Sequence, residues 1–197
     1  MNLAETASIF FETVVADALM AAASDPAERF KNGWYDCESA AAFLLNIPSR
    51  FDFEVALHES RAAGTVSSPA DLSEMMVEAW SSRYGDALES EMDPMFWASK
   101  LHFYMTSPQF YNFPYTFGYL FALGVYAHGE SLGEGAGFHE QYVALLRDTG
   151  RMTAEELVER HLGVSISEPE FWARSVAIVE RKLDGFEAAL AEVQAYE

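Results

Sequence analysis

Apolar residues recur along most of the chain at intervals of three and four, the period of a helix with one buried face, and strict alternation is nearly absent. Local punctuation divides that pattern into elements. A first helix is expected from about Leu3 to Ala23, after which Asp25-Pro26 supplies a cap and a proline at the first helical position of a second. That helix should run through Ser39-Ala40-Ala41-Ala42-Phe43-Leu44-Leu45 until Pro48 interrupts it, with a third from Pro48 to a C-cap at Gly64. Ser68-Pro69 opens a fourth, which carries Leu72, Met75, Met76, Ala79 and Trp80 on one stripe and stops at Gly85. Asp93-Pro94 opens a fifth, predicted to extend through Phe96, Trp97, Leu101 and His102.

Between Pro108 and Pro114 the segment Gln109-Phe110-Tyr111-Asn112-Phe113 is too aromatic for an ordinary solvent loop, so a packed or functional loop is expected. Helix resumes from Tyr115 to about Tyr126, and Gly129, Gly133, Gly135 and Gly137 then read as a flexible connection. Three further helices are predicted: Phe138 to Thr149, Ala154 to Leu162 after a Thr153 cap, and Pro169 to Tyr196. With no internal repeat or long linker, the expectation is an all-α fold: one irregular helical domain of about eight helices over residues 1–197.

Composition narrows the function classes. Half of the 197 residues are hydrophobic and 14% aromatic, which suits a chain with a sizeable core and excludes a disordered acidic tail. Against 31 Asp and Glu stand only 12 Lys and Arg, a formal charge of -19 that repels phosphate backbones and anionic lipid, so neither nucleic acid nor a membrane is an expected partner. The lone Cys37 permits no internal disulfide and no thiolate zinc cluster, and no apolar run reaches the roughly 18 residues of a spanning helix. A cytoplasmic location is expected.

Chemistry is suggested first by Ala4-Glu5-Thr6-Ala7-Ser8-Ile9-Phe10-Phe11-Glu12, where two acids seven residues apart share a helical face in an otherwise apolar stretch. Such acids either form a solvated stripe or, if buried, need a cation, a metal or strong hydrogen bonds. A second concentration is Leu101-His102-Phe103-Tyr104 followed by Phe110-Tyr111-Asn112-Phe113-Pro114-Tyr115-Thr116-Phe117-Gly118-Tyr119-Leu120. Histidine and tyrosine donate hydrogen bonds to the oxyanion that forms when a peptide carbonyl is attacked, although rings at helical spacing also pack cores. His58, His128, His139 and His161 stand among charged or small neighbours, and surface or capping roles are expected of them.

Both concentrations, in this order, resemble the oligoendopeptidase F and thimet oligopeptidase family of zinc metallopeptidases. A third stretch, Arg50-Phe51-Asp52-Phe53-Glu54-Val55 with Leu57-His58-Glu59 and Gly64-Thr65-Val66-Ser67, is similar to a family helix and turn to which packing rather than chemistry is ascribed. The resemblance implies that Glu5 is the third zinc ligand and Glu12 an acid supporting it without touching the metal. It likewise places His102 at the substrate-binding histidine and Tyr115 and Tyr119 at or near the oxyanion-donating tyrosines. Tyr111 competes with Tyr115 for that register, and Tyr104 is a weaker match.

The family's His-Glu-x-x-His is absent. His58-Glu59 and His139-Glu140 are followed, four residues after each histidine, by Ala62 and Val143, so neither closes a two-histidine clamp. The expectation is therefore the C-terminal part of a zinc oligoendopeptidase acting on short peptides. It should be inactive and weak in zinc binding by itself, partnered by an N-terminal half that carries His-Glu-x-x-His, and prone to form homo-oligomers. The alternative is a non-catalytic helical module, either a degenerate peptidase homologue or half of a split enzyme, used for binding or assembly.

Overall fold

The computed structural model describes residues 2–88, 92–133 and 137–195. Its helices are α1 (Thr6–Ala22), α2 (Pro26–Ala41), α3 (Ile47–Ala62), α4 (Pro69–Tyr84), α5 (Phe96–Ser99), α6 (Phe113–Leu132), α7 (Phe138–Asp148), α8 (Ala154–Leu162) and α9 (Pro169–Gln194). A π-turn (Ala42–Asn46) links α2 to α3, and 3₁₀ turns cover Gly85–Leu88 and Leu101–Tyr104. Helix accounts for 79% of the chain and no strand occurs among the described residues, so the fold is all-α. None of the described helices is long and apolar enough to cross a membrane. Gly135 and the expected helix end at Tyr196 lie outside the described residues. Contacts gather in two compact units, Ala40–Thr116 on one side and Met1–Ser39 with Phe117–Glu197 on the other.

The unit from Ala40 to Thr116 is built on the predicted stripe of α4, where Met76, Ala79 and Trp80 are buried against Phe53 of α3 and Leu72 and Met75 pack beside them. Ser68 caps α4 by accepting from the Asp71 N–H, and Asp71 returns a bond to the Ser68 N–H, a reciprocal box that satisfies two of the helix's open donors. The end of α3 is closed by Gly64 at φ 81, with Gly64 N–H bonded to Arg61 O and Thr65 N–H to Ser60 O, the paired pattern of a Schellman motif. Arg83 on α4 then clamps Asp52 on α3 through Nε at 2.6 Å and Nη2 at 2.9 Å.

Pro48 does not interrupt the chain as its sequence context predicts. The backbone widens by one residue into the π-turn, so that Ile47 N–H reaches Ala42 O. In that register the next carbonyl, Phe43 O, would face Pro48, which has no N–H to give. Thr116 Oγ1 donates to it instead, at 2.7 Å.

In the other unit the stretch of α6 from Phe117 to Ala127 is apolar on all sides, the pattern of a core helix. Phe121, Ala122, Leu123 and Val125 are almost wholly inaccessible, and Ile9 and Phe10 of α1, Tyr142 and Leu145 of α7, Leu157 and Val158 of α8 and Phe171 and Ile178 of α9 are buried in the same unit, with the Phe121 and Phe171 rings 5.9 Å apart. Gly129, expected in a flexible connection, is inside this helix. A Cβ there would stand 2.8 Å from the Phe138 ring, so the glycine serves close packing. Gly124 is tighter still, with the Phe171 ring 2.4 Å from where a Cβ would be. α1, α2 and α9 are tied by Lys182, whose ammonium reaches Asp17 at 3.1 Å and Asp36 at 2.8 Å, while Tyr126 of α6 donates to Asp17 at 2.6 Å. Glu130 of α6 pairs with Arg181 beside it.

Two outcomes follow for stability. Gly124→Ala, forcing a methyl group into a buried ring, should cost about 2 kcal/mol, whereas Gly185→Ala in α9, with nothing within contact of the new methyl, should add about 0.5–1 kcal/mol; urea titration reads both signs. Lys182→Met keeps the apolar stem but leaves the largely buried Asp36 without its cation, while Asp17 retains Arg181 at 4.0 Å, and the same titration should show a loss on the order of 3 kcal/mol.

Candidate functional site

The predicted fifth helix stops after one turn. Ser99 Oγ donates to Phe96 O at 3.0 Å, taking a carbonyl that the next turn would have used, and Lys100 is extended (φ -94, ψ 113). A 3₁₀ turn then carries His102. The loop that follows returns through Tyr111 into α6, which begins earlier than predicted because Pro114 fits its first turn, where no N–H is needed. The result is a cluster of three of the expected donors. The His102 and Tyr111 rings are near-parallel with centroids 6.5 Å apart, and Tyr115 stands edge-on to both, at 6.1 Å from His102 and 5.5 Å from Tyr111.

A residue assigned to packing in the sequence holds this cluster in place. Glu54 of α3, only 3% exposed, accepts the Phe110 N–H at Oε1 and Asn112 Nδ2 at Oε2, both at 2.9 Å. A buried carboxylate is costly unless hydrogen-bonded, and the two donors it uses flank Tyr111. Phe110 itself is in the left-handed region (φ 55), a strain on the order of 1–3 kcal/mol for a non-glycine residue. The Glu54 bond and the rings of His58 (4.7 Å) and Phe51 (5.9 Å) hold it there. The acid-and-aromatic stretch Phe51 to His58 was the signal in the sequence, but only the fold brings it under the loop.

Electrostatics favour a neutral donor at His102. Burial first, then the Arg50 and Lys100 charges, lower its proton affinity, and Glu54 opposes them without reversing the direction. The imidazole therefore stays below its ordinary value and carries a single ring proton at pH 7. Arg50, which opens the stretch expected only to pack, lies 5.3 Å above the Phe96 ring and interacts with Tyr84 and Tyr115, so a cation is built into the surroundings of the cluster. Tyr104 is largely exposed and spends its hydroxyl on Trp97 O at 3.3 Å.

Glu5, Glu12 and Tyr119 belong to the other unit. Glu5 stands at the start of α1 and is half-buried; Ser8 Oγ donates to its carbonyl at 3.0 Å and its carboxylate at 3.2 Å, and its Cβ sits where Gly118 leaves room. Glu12 is exposed, so its charge carries no burial cost. Tyr119 is buried, and burial first, then Asp36 and Cys37, push its hydroxyl far above the ordinary range, which keeps it a proton-bearing donor. Among the described residues no three His, Cys, Asp or Glu side chains gather into a metal-holding group, so the residues present do not by themselves make the zinc site that the resemblance implies. Of the other histidines, His58 and His139 are exposed as expected, His161 bonds Asp148 at 2.9 Å, and His128, expected at the surface, is buried on the packed side of α6.

Compared with known proteins, the chain matches no protein-family model, no curated protein and no solved structure.

Glu54→Ala should unfasten the loop, leaving two buried donors unmet at a cost of about 3 kcal/mol. In Glu54→Gln the Asn112 amide can turn its Oδ1, which has no partner in the native chain, toward the new amide, so the loss should fall to about 1 kcal/mol. Hydrogen exchange at the Phe110 amide should accelerate strongly in the first variant and little in the second.

Proposed function

We propose that the chain is the C-terminal, helical portion of a zinc-dependent oligoendopeptidase catalytic domain that hydrolyses short peptides. Its supporting observation is the meeting of His102, Tyr111 and Tyr115 across some fifteen residues of chain, anchored by a buried carboxylate. A neutral imidazole N–H and phenol hydroxyls are donors suited to a substrate carbonyl oxygen as it gains charge, and fixed donors act there without reorganising during the reaction. Arg50 adds positive potential on the same side. Both Tyr111 and Tyr115 belong to the cluster, which supports a shared part for the two in facing the oxyanion.

Glu5 is the proposed zinc ligand, the remaining two coming from a His-Glu-x-x-His segment outside these residues, and Glu12 and Tyr119 are assigned in the same way by motif position. α1 carries a solvent-facing apolar stripe, Phe11, Val14, Val15 and Leu19, directly after Glu5. A helix bearing the two histidines would cover that stripe while completing the metal site. The alternative, a non-catalytic module, keeps the same aromatic cluster for binding without hydrolysis.

The chain alone, supplied with zinc, should leave a quenched peptide uncleaved; cleavage that disappears in Glu5→Ala would overturn that expectation. Sequencing the DNA immediately upstream separates the two readings, since an in-frame His-Glu-x-x-His is expected for the enzyme and its absence favours the module. In a chain that includes that motif, Tyr115→Phe should lower kcat by about 10²–10³ with little change in KM.

A further inference from the structure

Among the lysines and arginines of the chain, only Arg29, Arg50, Lys100 and Lys182 are part-buried rather than exposed. Two of them meet acids, Arg29 at Glu192 and Lys182 at Asp17 and Asp36. Arg50 and Lys100 meet none among the described residues. Both lie instead against one ring, the guanidinium carbon 5.3 Å and the ammonium 4.6 Å from the centre of Phe96. Those distances hold the two charges within about one screening length of each other, ~10 Å at 0.1 M salt. In a chain with 31 acids, two part-buried like charges kept together without a carboxylate are a cost that calls for a counter-charge from elsewhere.

Local geometry explains why Arg50 is unpaired. Glu54, four residues further along α3, is the acid placed for an i,i+4 pair, but its two oxygens are taken by the Phe110 amide and Asn112 Nδ2. Arg50 Nε is shut from solvent with no hydrogen-bond partner, which leaves the two terminal nitrogens to make whatever contact the side chain offers. Burial lowers the proton affinity of Arg50, yet a guanidinium keeps its charge at pH 7. Both cations act on His102, and Arg50 acts on Tyr115, so the pair adjoins the donor cluster within the same compact unit. A guanidinium fork beside an ammonium suits the two oxygens of a carboxylate. A phosphate dianion offers similar oxygens but meets more repulsion from a chain of formal charge -19.

We propose that Arg50 and Lys100 form a carboxylate subsite beside the donor cluster, engaging a short peptide through its C-terminal carboxylate or an acidic side chain while His102, Tyr111 and Tyr115 face a carbonyl of the same peptide. The inference rests on the proposed peptide-binding role of the cluster and not on zinc or hydrolysis. Every residue it uses lies between Ala40 and Thr116.

The test is a titration of the full chain with acetyl-trialanine, with its C-terminal amide, and with acetyl-alanyl-aspartyl-alanine amide, following the His102 ring by NMR. At least one of the two carboxylate-bearing peptides should shift the His102 resonances saturably and bind about tenfold more tightly than the neutral amide, the equivalent of one charge-assisted contact. Which of them does so identifies the carboxylate as terminal or side-chain. Arg50→Gln should abolish that preference, and Lys100→Gln, which reads the same preference if the first variant fails to fold, should reduce it at least about threefold. Because no cleavage is read, failure here leaves the peptidase reading standing, and an absent His-Glu-x-x-His leaves this subsite standing. No shift with any peptide at about 10 mM, equal affinity for the neutral amide, a preference that survives in folded Arg50→Gln, or inorganic phosphate bound more tightly than either carboxylate peptide would each overturn the proposal.

Discussion

At three points along α6 a neighbour occupies the space that a side chain would need: Glu5 beside Gly118, Phe171 at Gly124 and Phe138 at Gly129. These close approaches organise the unit that contains them. They set α1, α9 and the start of α7 against one apolar helix, and the groups of chemical interest ride on the same contacts. Glu5 takes its position from the first, the seat of Phe171 at the start of α9 from the second, and the burial of His128, 6.4 Å from the Phe138 ring, from the third. Because native interiors have little spare volume, a helix that lets its neighbours this close admits few alternative arrangements.

Polar contacts complete what packing begins. Lys182 is nearly enclosed, and its two aspartates come from α1 and α2, with Tyr126 bonded to one of them. An ion pair at this depth adds little net energy over well-packed apolar groups, but each member is expensive to leave alone, so the network opposes slippage among these helices. In an acidic chain it also uses one of few cations where burial gives it most effect.

The same logic operates on a smaller scale in the other unit. Glu54 costs free energy to bury, Phe110 costs free energy to hold at positive φ, and each makes the other tolerable through one hydrogen bond. The outcome is a loop whose tyrosine faces His102 and Tyr115 at fixed distances rather than one that samples solvent.

Local interactions were legible from the residues alone. The caps at Ser68 and Thr153, the stop at Gly64, the stripe of α4 and the all-α class all rest on bonds or periodicities spanning a few residues, so their partners stand close by in the text of the chain. The candidate rings were named from their clustering, but not the carboxylate that holds them, because Glu54 meets Phe110 across 56 residues of sequence. Pro48 read as a break for a similar reason: the donor that replaces its missing N–H, Thr116, lies 73 residues from the carbonyl it serves. Gly129 read as part of a flexible connection and is a contact point, and His128 read as a surface residue and is buried, since a residue's role there is decided by which helix lies against it. The sequence by itself determined the all-α class and where most helices start and stop, through short-range capping and hydrophobic period. The tertiary structure alone decided which polar groups are buried and which are paired, because burial and pairing depend on neighbours that only folding supplies.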